Sequence, residues 1–292
     1  MTAVRAVLVE AFASGPLQGN GAAVVLLSEP ADAVWMQGVA ASLRQSETAF
    51  LWASSPGQWA LRWFTPTCEV PLCGHATLAA GLALGHWRQL DAGCSVSLAS
   101  RSGALEVKLE PEPAGAASLV LPSSELRALP VPDDLPALLG GAVEAYWGSE
   151  LGYRVALVPG IPLEALASPA GQLRQADRNG LVVMQATAAE APSCLGQRCD
   201  YQLRFFAPGL GIDEDPVTGS AHALVAPWWM RRLGRRRVVG WQCSPRRGGM
   251  LCESERPGYV RLTGTGHLLW DGHLHAGGSA QDWAGWQVCH RG

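Results

Sequence analysis

Two stretches of this chain are similar to each other, and together they decide the fold. RWFTPTCEVPLCGHATLA runs from Arg62 to Ala79, and RFFAPGLGIDEDPVTGSAHAL runs from Arg204 to Leu224. Gly74 and Gly219 fall in register when the two are aligned. Each stretch predicts a strand, a loop, a glycine and then the start of a helix. The repetition indicates an internal duplication with a pseudo-two-fold axis.

Alternating and apolar runs on both sides of these stretches predict strands. The predicted strands are 4–10, 22–27, 48–52, 59–64, 96–99, 104–109, 118–121, 153–158, 181–185, 201–206, 238–242 and 259–262. Helices are predicted over 32–43, with Asp32 as the cap, over 74–87 and over 219–233. The proline-rich segments EPEPAGAAS and LPSSELRALPVPDDLP mark a boundary or linker between two halves.

Composition excludes several classes of partner. The 292 residues carry a net charge of −3, which argues against binding to nucleic acid or to a membrane surface. The arginines of RRLGRRR, between 231 and 237, are interpreted as a solvated helix end. The apolar run near the start of the sequence is too short for a signal peptide, and no apolar run approaches the length of a membrane span. A cytoplasmic protein without a membrane partner is expected.

The usual cofactor and metal motifs are missing from the sequence. Lys108, the single lysine, lies in an alternating strand-like run, and the chain has no P-loop motif. TGTGHLL, from residue 263 to 269, lacks the third glycine of a dinucleotide fingerprint. The eight cysteines form no C-x-x-C pair and are expected to pack as free thiols. We therefore expect no cofactor and no metal.

The repeated turn predicts a site for an anion. The first N–H groups of a helix are unpaired, and the helix N-terminus carries about half a positive charge. Gly74 and Gly219 would let a ligand approach those groups closely. Two such turns facing one cleft would hold a small carboxylate and stabilise the charge that develops when a neighbouring proton is removed.

Proton abstraction requires a proton carrier. The candidates near the predicted turns are Cys73, His75, Glu214 and Asp215, and Glu47 is a further one. Glu47 begins the apolar run ETAFLW, where a buried carboxylate is costly unless it takes up a proton. A carboxyl group that exchanges a proton near neutral pH is what general acid/base catalysis needs. The alternative is a glutamate at a strand end that points into water.

The motifs SETAF, RWFTPTCEVPLCGHATLA, RFFAPGLGIDEDPVTGSAHALVAPWW and SPRRGGML resemble those of the phenazine-biosynthesis (PhzF-like) isomerase family over nearly the whole chain. The resemblance implies the diaminopimelate-epimerase-like α+β fold. That fold has two similar domains, each a curled, mostly antiparallel sheet around a central helix, with the site in the cleft between them. The expected domains are 1–118, joined by 279–292, and 119–278.

The resemblance also implies roles for individual residues. Glu47 would be the proton-shuttling acid/base, and Asp215 and His75 would share the catalytic site. The residues expected to bind the substrate are Asn20, Cys73, Gly74, Ala76, Thr218, Gly219 and Ser220. Cys73 departs from the phenazine enzyme, which has a small residue at that position. The motif CGH is similar to the cysteine motif of proline racemases. Thr218 stands at the partner position, so a symmetric two-thiol racemase is not expected.

The sequence thus predicts a cofactor-independent isomerase that moves a proton on a small carboxylated metabolite, and the resemblance implies a homodimer. One alternative is a racemase or epimerase of a small amino or hydroxy acid, which would need Cys73 or Asp215 opposite Glu47. A second is a catalytically silent protein that binds a small acid.

Overall fold

The computed structural model of the chain describes residues 3–55, 57–188 and 190–275, which form two compact units. Unit 1 consists of the residues up to Val120 together with those from Thr265 onward. Unit 2 consists of Leu121–Gly264. The division falls inside the proline-rich stretch, whereas the predicted segment 279–292 lies outside the described residues.

Unit 1 contains eight strands and two helices before the boundary. The strands are β1 (Val4–Ala11), β2 (Asn20–Leu27), β3 (Glu47–Ser55), β4 (Gln58–Phe64), β5 (Glu69–Val70), β6 (Ser95–Ser100), β7 (Gly103–Leu109) and β8 (Ala116–Pro122), whose last two residues pass into unit 2. The helices are α1 (Ala33–Leu43) and α2 (Gly74–His86).

The sheet of unit 1 is mostly antiparallel. β2 pairs with β3 and β4 with β6 in parallel, whereas β1–β2, β3–β4, β4–β5, β6–β7 and β7–β8 are antiparallel. Helix α2 packs against β1, β2, β3 and β7. Its sequence GHATLAAGLALGH is rich in alanine and glycine, and nine of its residues are buried, so it lies close against the strands.

Unit 2 contains the remaining elements. Its strands are β9 (Arg127–Leu129), β10 (Ala145–Gly148), β11 (Arg154–Leu157), β12 (Leu181–Ala186), β13 (Ser193–Cys194), β14 (Gln197–Arg198), β15 (Tyr201–Ala207), β16 (Ile212–Asp215), β17 (Arg237–Gln242), β18 (Gly248–Arg256) and β19 (Tyr259–Leu274). Its helices are α3 (Leu135–Leu139) and α4 (Gly219–Leu233). The part of β19 after Gly264 belongs to unit 1, where it pairs with β1.

The succession of pairings in unit 2 is that of unit 1. β10–β11 is antiparallel, β11–β12 parallel, and β12–β15 and β15–β16 are antiparallel. After helix α4, β15–β17 is parallel, and β17–β18 and β18–β19 are antiparallel. Helices α2 and α4 therefore occupy the same place in the strand order of their units.

The likeness extends to an arginine–glutamate ion pair in each unit. In unit 1, Arg62 Nε and Nη2 donate to the two carboxylate oxygens of Glu69 at 2.7 and 2.8 Å. In unit 2, Arg204 Nε and Nη2 donate to the two oxygens of Glu214 at 2.7 and 2.6 Å. Each pair joins the strand that holds the arginine to the short strand before the helix, which fixes the turn that leads into that helix.

The sequence predictions for the regular elements are largely confirmed. Asp32 caps α1 as predicted, because its Oδ1 accepts a hydrogen bond from Val34 N at 2.7 Å. The helix predicted over 74–87 ends at His86, with Trp87 as its C-cap. The strand predicted over 259–262 continues to Leu274. The strands β5, β9, β10, β13, β14, β16 and β18 and the helix α3 were not predicted. Within the described part of the chain, no helix is long and apolar enough to cross a membrane.

Candidate active site

Glu47 is the first residue of β3. The parallel strands β2 and β3 begin at the same end of the sheet. The parallel register pairs Ala22 with Glu47, so Asn20 at the start of β2 lies at the same end of the sheet. Glu47 is only 9% exposed, since the strand that it begins is buried over its first five residues. The interpretation of Glu47 as a strand end pointing into water is therefore wrong.

His75, in the first turn of α2, faces the Glu47 carboxylate. Glu47 Oε2 lies 3.2 Å from His75 Nε2, yet among the described residues this oxygen accepts no hydrogen bond of acceptable geometry. Ser46 Oγ lies 3.1 Å from the same nitrogen and 2.8 Å from Asn20 Oδ1. On the other side of the ring, Asn20 Nδ2 lies 3.3 Å and Cys73 Sγ 3.4 Å from Nδ1. These contacts fix the imidazole ring on both sides.

The protonation of this cluster follows from burial and from the carboxylate. Burial and the nearby Glu47 raise the pKa of the Cys73 thiol to about 11, and contacts with His75 and the Ala76 backbone oppose part of that rise. Burial disfavours the charged form of His75, and Cys73 and Glu47 oppose that effect. The pKa of His75 is raised above its ordinary value, because the interactions with Cys73 and Glu47 together outweigh burial.

The first turn of α2 begins at Gly74, directly after Cys73. Cys73 is the N-cap residue in an extended conformation, and no side chain of the described residues makes a capping hydrogen bond there. Thr77 N donates to Cys73 O at 3.2 Å, so the N–H groups of positions 74 to 76 are the ones ahead of the helix ladder. Ala76 buries its side chain, and its backbone N–H interacts with the Cys73 thiol.

The corresponding turn of unit 2 carries a different set of side chains. Thr218 is the N-cap residue of α4, and its Oγ1 donates to Asp215 Oδ2 at 2.5 Å. Gln242 Oε1 accepts from Thr218 N at 2.8 Å, and Gln242 Nε2 donates to Asp215 O at 2.6 Å. Asp215 and Thr218 are both buried. This network holds the turn before Gly219 rigid and orients the Asp215 carboxylate.

Ser220 lies one residue further into α4. Its Oγ is 3.3 Å from the hydroxyl of Tyr153, which precedes β11. Ser220 is half-buried, so its hydroxyl remains within reach of a ligand at the helix N-terminus.

The predicted site residues therefore form two groups. Unit 1 brings together Asn20, Glu47, Cys73 and His75 with the turn at Gly74, and unit 2 brings together Asp215, Thr218 and Ser220 with the turn at Gly219. Glu214, a candidate proton carrier, is engaged instead by Arg204.

Sequence reasoning missed four residues that support these groups: Ser46, Tyr153, Gln242 and Ser244. Ser46 stands beside Glu47 in the SETAF motif, and that position is the signal that could have found it. Ser244 Oγ lies 3.5 Å from Asp215 O and belongs to the SPRRGGML motif. Tyr153 and Gln242 carry no local signal, since each reaches its partner only through the folding of the sheet.

Comparison with known proteins places this arrangement in one family. The family model of the phenazine biosynthesis-like proteins (PhzC-PhzF) matches residues 9–272. An uncharacterized isomerase of Pseudomonas aeruginosa is 37% identical over 91% of this chain and 97% of its own length. An uncharacterized isomerase of Halalkalibacterium halodurans is 35% identical over 84% of this chain and 88% of its own.

A solved structure of a PhzF-family protein has the same fold as this chain. The PhzF-family phenazine biosynthesis protein of Enterococcus faecalis superposes with a TM-score of 0.82 at 29% identity, covering 94% of this chain and 100% of its own. The chain therefore belongs to the phenazine biosynthesis-like (PhzC-PhzF) family, and the α+β fold is of the PhzF type.

Proposed function

We propose that the protein is a PhzF-like isomerase that moves a proton on a small carboxylated substrate without a cofactor, with Glu47 as the proton carrier. One observation carries the proposal: Glu47 Oε2 is buried and accepts no hydrogen bond from the described residues. A carboxylate oxygen that is withdrawn from water but not occupied by a donor keeps a lone pair available for a proton from a substrate.

His75 prepares this carboxylate for the reaction. Its Nε2 faces Glu47 at 3.2 Å, while Ser46 and Asn20 hold the ring in place. The fixed ring orients the Glu47 carboxyl group for the proton transfer.

The reaction consists of two proton transfers by one group. Glu47 Oε2 takes the proton from a carbon of the substrate, and the electron pair of the broken C–H bond moves into the conjugated system that ends at the substrate carboxylate. The N–H groups at the start of α2 stabilise the charge that accumulates there. Protonated Glu47 then returns the proton to another carbon, so the product is an isomer and no net proton is consumed.

Unit 2 supplies the second set of contacts to the substrate. The family resemblance supports substrate-binding roles for Asp215, Thr218, Gly219 and Ser220, and their ordered hydrogen-bond network suits orientation of a polar ligand. The predictions that the turns at Gly74 and Gly219 share one cleft, and that a pseudo-two-fold axis relates the two halves, remain predictions.

Cys73 does not suit the role of a second base opposite Glu47. Ligand atoms of Glu47, Cys73 and His75 all lie within 4.8 Å of one another. Two bases on opposite faces of one carbon, each about 3 Å from it, would stand roughly 6 Å apart. Within unit 1 this geometry favours a single carrier over a racemase that uses Glu47 and Cys73, which leaves Asp215 as the candidate second base of a racemase or epimerase.

The test begins by finding a ligand and then removes the proton carrier. A panel of small carboxylates is screened by thermal shift, since a ligand at 100 times its dissociation constant adds about 2.7 kcal/mol. Glu47→Gln keeps the shape of the side chain and removes the transferable proton. Turnover of the identified substrate should fall by about 10²- to 10⁴-fold with little change in ligand binding.

The control is Glu106→Gln, which changes an exposed glutamate on β7 of the same unit. If Glu47→Gln retains the turnover of that control, Glu47 is not the proton carrier. Proton NMR in deuterium oxide tests the racemase, because an epimerase exchanges its stereocentre with solvent. A ligand that binds and is never converted, by wild type or variant, would support the silent binding protein.

We also propose, on the family resemblance, that the protein is a cytoplasmic homodimer. Sedimentation velocity at several concentrations tests its assembly, and a monomer throughout the range would contradict it.

A further inference from the structure

Three side chains of unit 1 offer ligand atoms of the kinds that bind zinc. Glu47, Cys73 and His75 are all buried, and one ligand atom from each lies within 4.8 Å of the others. Cys73 Sγ is 3.4 Å from His75 Nδ1, and Glu47 Oε2 is 3.2 Å from His75 Nε2. Bonds of about 2.0 to 2.3 Å in a tetrahedral zinc site place neighbouring ligand atoms roughly 3.3 to 3.6 Å apart.

The environment of the three groups suits a bound cation. A thiolate, an imidazole and a carboxylate match the borderline softness of Zn²⁺. Glu47 Oε2 is the buried oxygen that accepts no hydrogen bond among the described residues, so a cation there would give it a partner. Only one ring nitrogen of His75 can bind the ion, so either Cys73 Sγ or Glu47 Oε2 would close from within 4.8 Å to a ligand spacing of about 3.5 Å.

Surrounding residues would orient the ligands. Whichever nitrogen does not bind the ion keeps a partner, since Asn20 contacts Nδ1 and Ser46 contacts Nε2. Such outer contacts fix ring orientation in histidine-ligated metal sites. Three protein ligands leave a fourth position for water or for a carboxylate, the arrangement of an open zinc site.

We propose that Glu47, Cys73 and His75 form a Zn²⁺ site, and that the bound ion inhibits the isomerase by occupying its proton carrier. Binding forms a Zn–S bond and releases the Cys73 proton to solvent, with no change of oxidation state. The metal is an inhibitor and not a cofactor, so the proposal does not alter the metal-free reaction. Binding stands on the geometry alone, whereas inhibition rests on the proposed function.

Cobalt provides a spectroscopic test of the site. Protein stripped of metal with a chelator and desalted is titrated with Co²⁺, which reports a cysteine ligand through a thiolate-to-metal absorption band in the near ultraviolet. We expect one Co²⁺ per chain with this band, and displacement of the band by one equivalent of Zn²⁺. Cys73→Ala should lose the band, and Glu47→Gln should weaken binding at least tenfold.

The matched control is Cys94→Ala, which removes an exposed thiol of the same unit and should leave the band unchanged. Circular dichroism of each variant checks that it is folded. A wild-type protein without the band, or a band that persists in Cys73→Ala, would overturn the site.

Inhibition is measured on an identified substrate. Zn²⁺ should stop turnover of the wild type at one equivalent, and chelator should restore it. Stoichiometric zinc binding with full turnover would refute inhibition and would also show that Glu47 is not the proton carrier. If Glu47→Gln loses turnover but the wild type binds no metal, the proposed function stands and the zinc site is refuted.

Discussion

Glu214→Gln tests whether the buried ion pair of unit 2 is structural. Arg204 has a side chain only 5% exposed, and besides Glu214 it donates to the carbonyl oxygens of Leu163 and Leu166. Glutamine keeps one acceptor oxygen and turns an amide N–H₂ toward the guanidinium, so a buried cation loses its counter-charge. Breaking a buried pair on one side costs about 3 to 5 kcal/mol. The two carbonyl acceptors remain, so we expect the lower end, about 3 kcal/mol.

The assay is denaturant unfolding of the wild type and the variant, with hydrogen exchange to assign the loss to amides of unit 2. The comparison variant is Glu69→Gln, since Glu69 pairs with Arg62 and Arg101, whose side chains are 23% and 59% exposed. The side chains of those arginines can reorient toward solvent, so Glu69→Gln should lose clearly less unfolding free energy. Equal losses for the two variants, or a loss below about 1 kcal/mol for Glu214→Gln, would refute the argument from burial.

Two further stability predictions follow from the packing around the central helices. Burial lowers the pKa of His222, which contacts the Tyr201 hydroxyl, to about 3. Because the unfolded state then binds more protons below pH 6.5, stability should fall by roughly 2 kcal/mol between pH 7 and pH 5, and His222→Gln should remove that part of the pH dependence. Parallel pH profiles for the two proteins would contradict this. Gly81→Ala should cost about 1 to 3 kcal/mol, because the new Cβ would lie 2.3 Å from Val107 Cγ1. Denaturant unfolding should show partial recovery when Val107→Ala is added, and no recovery would exclude this clash as the cause.

The sequence predicted the elements whose signals are local. Asp32 precedes α1 and caps it, and glycine marks the start of both α2 and α4. Alternating apolar residues predicted the central strands, since one buried face imposes a period of two.

The missed elements depend on distant partners. β19 was predicted to end at Leu262, but its later residues TGTGHLLWDGHL pair with β1, with Val4 opposite Leu274. No property of that glycine-containing segment reveals a partner at the other end of the chain. β16 contains Asp213 and Glu214, and acidic residues are depleted in strands. Its place is explained by the Arg204 pair, which lies across the hairpin and is not visible as a pattern.

The residues of the candidate site that lie in sequence motifs were predicted. Their contacts with one another were not, because those contacts form only on folding. The sequence identified Glu47, Cys73 and His75, but the expectation of no metal considered only ligand spacing along the chain. The three ligand atoms come from the start of β3 and from the turn before α2, so their proximity is a product of folding.

The two units also show why one proton carrier is the better interpretation. Glu47 begins β3, the strand parallel to β2, and the strand at the same place in unit 2 is β12, which begins with Leu181. Leu181 is fully buried and apolar, so the second copy has no carboxylate at the matching position. A symmetric two-base mechanism would need an acid in each copy. The asymmetry supports the proposal that Glu47 of unit 1 is the single proton carrier.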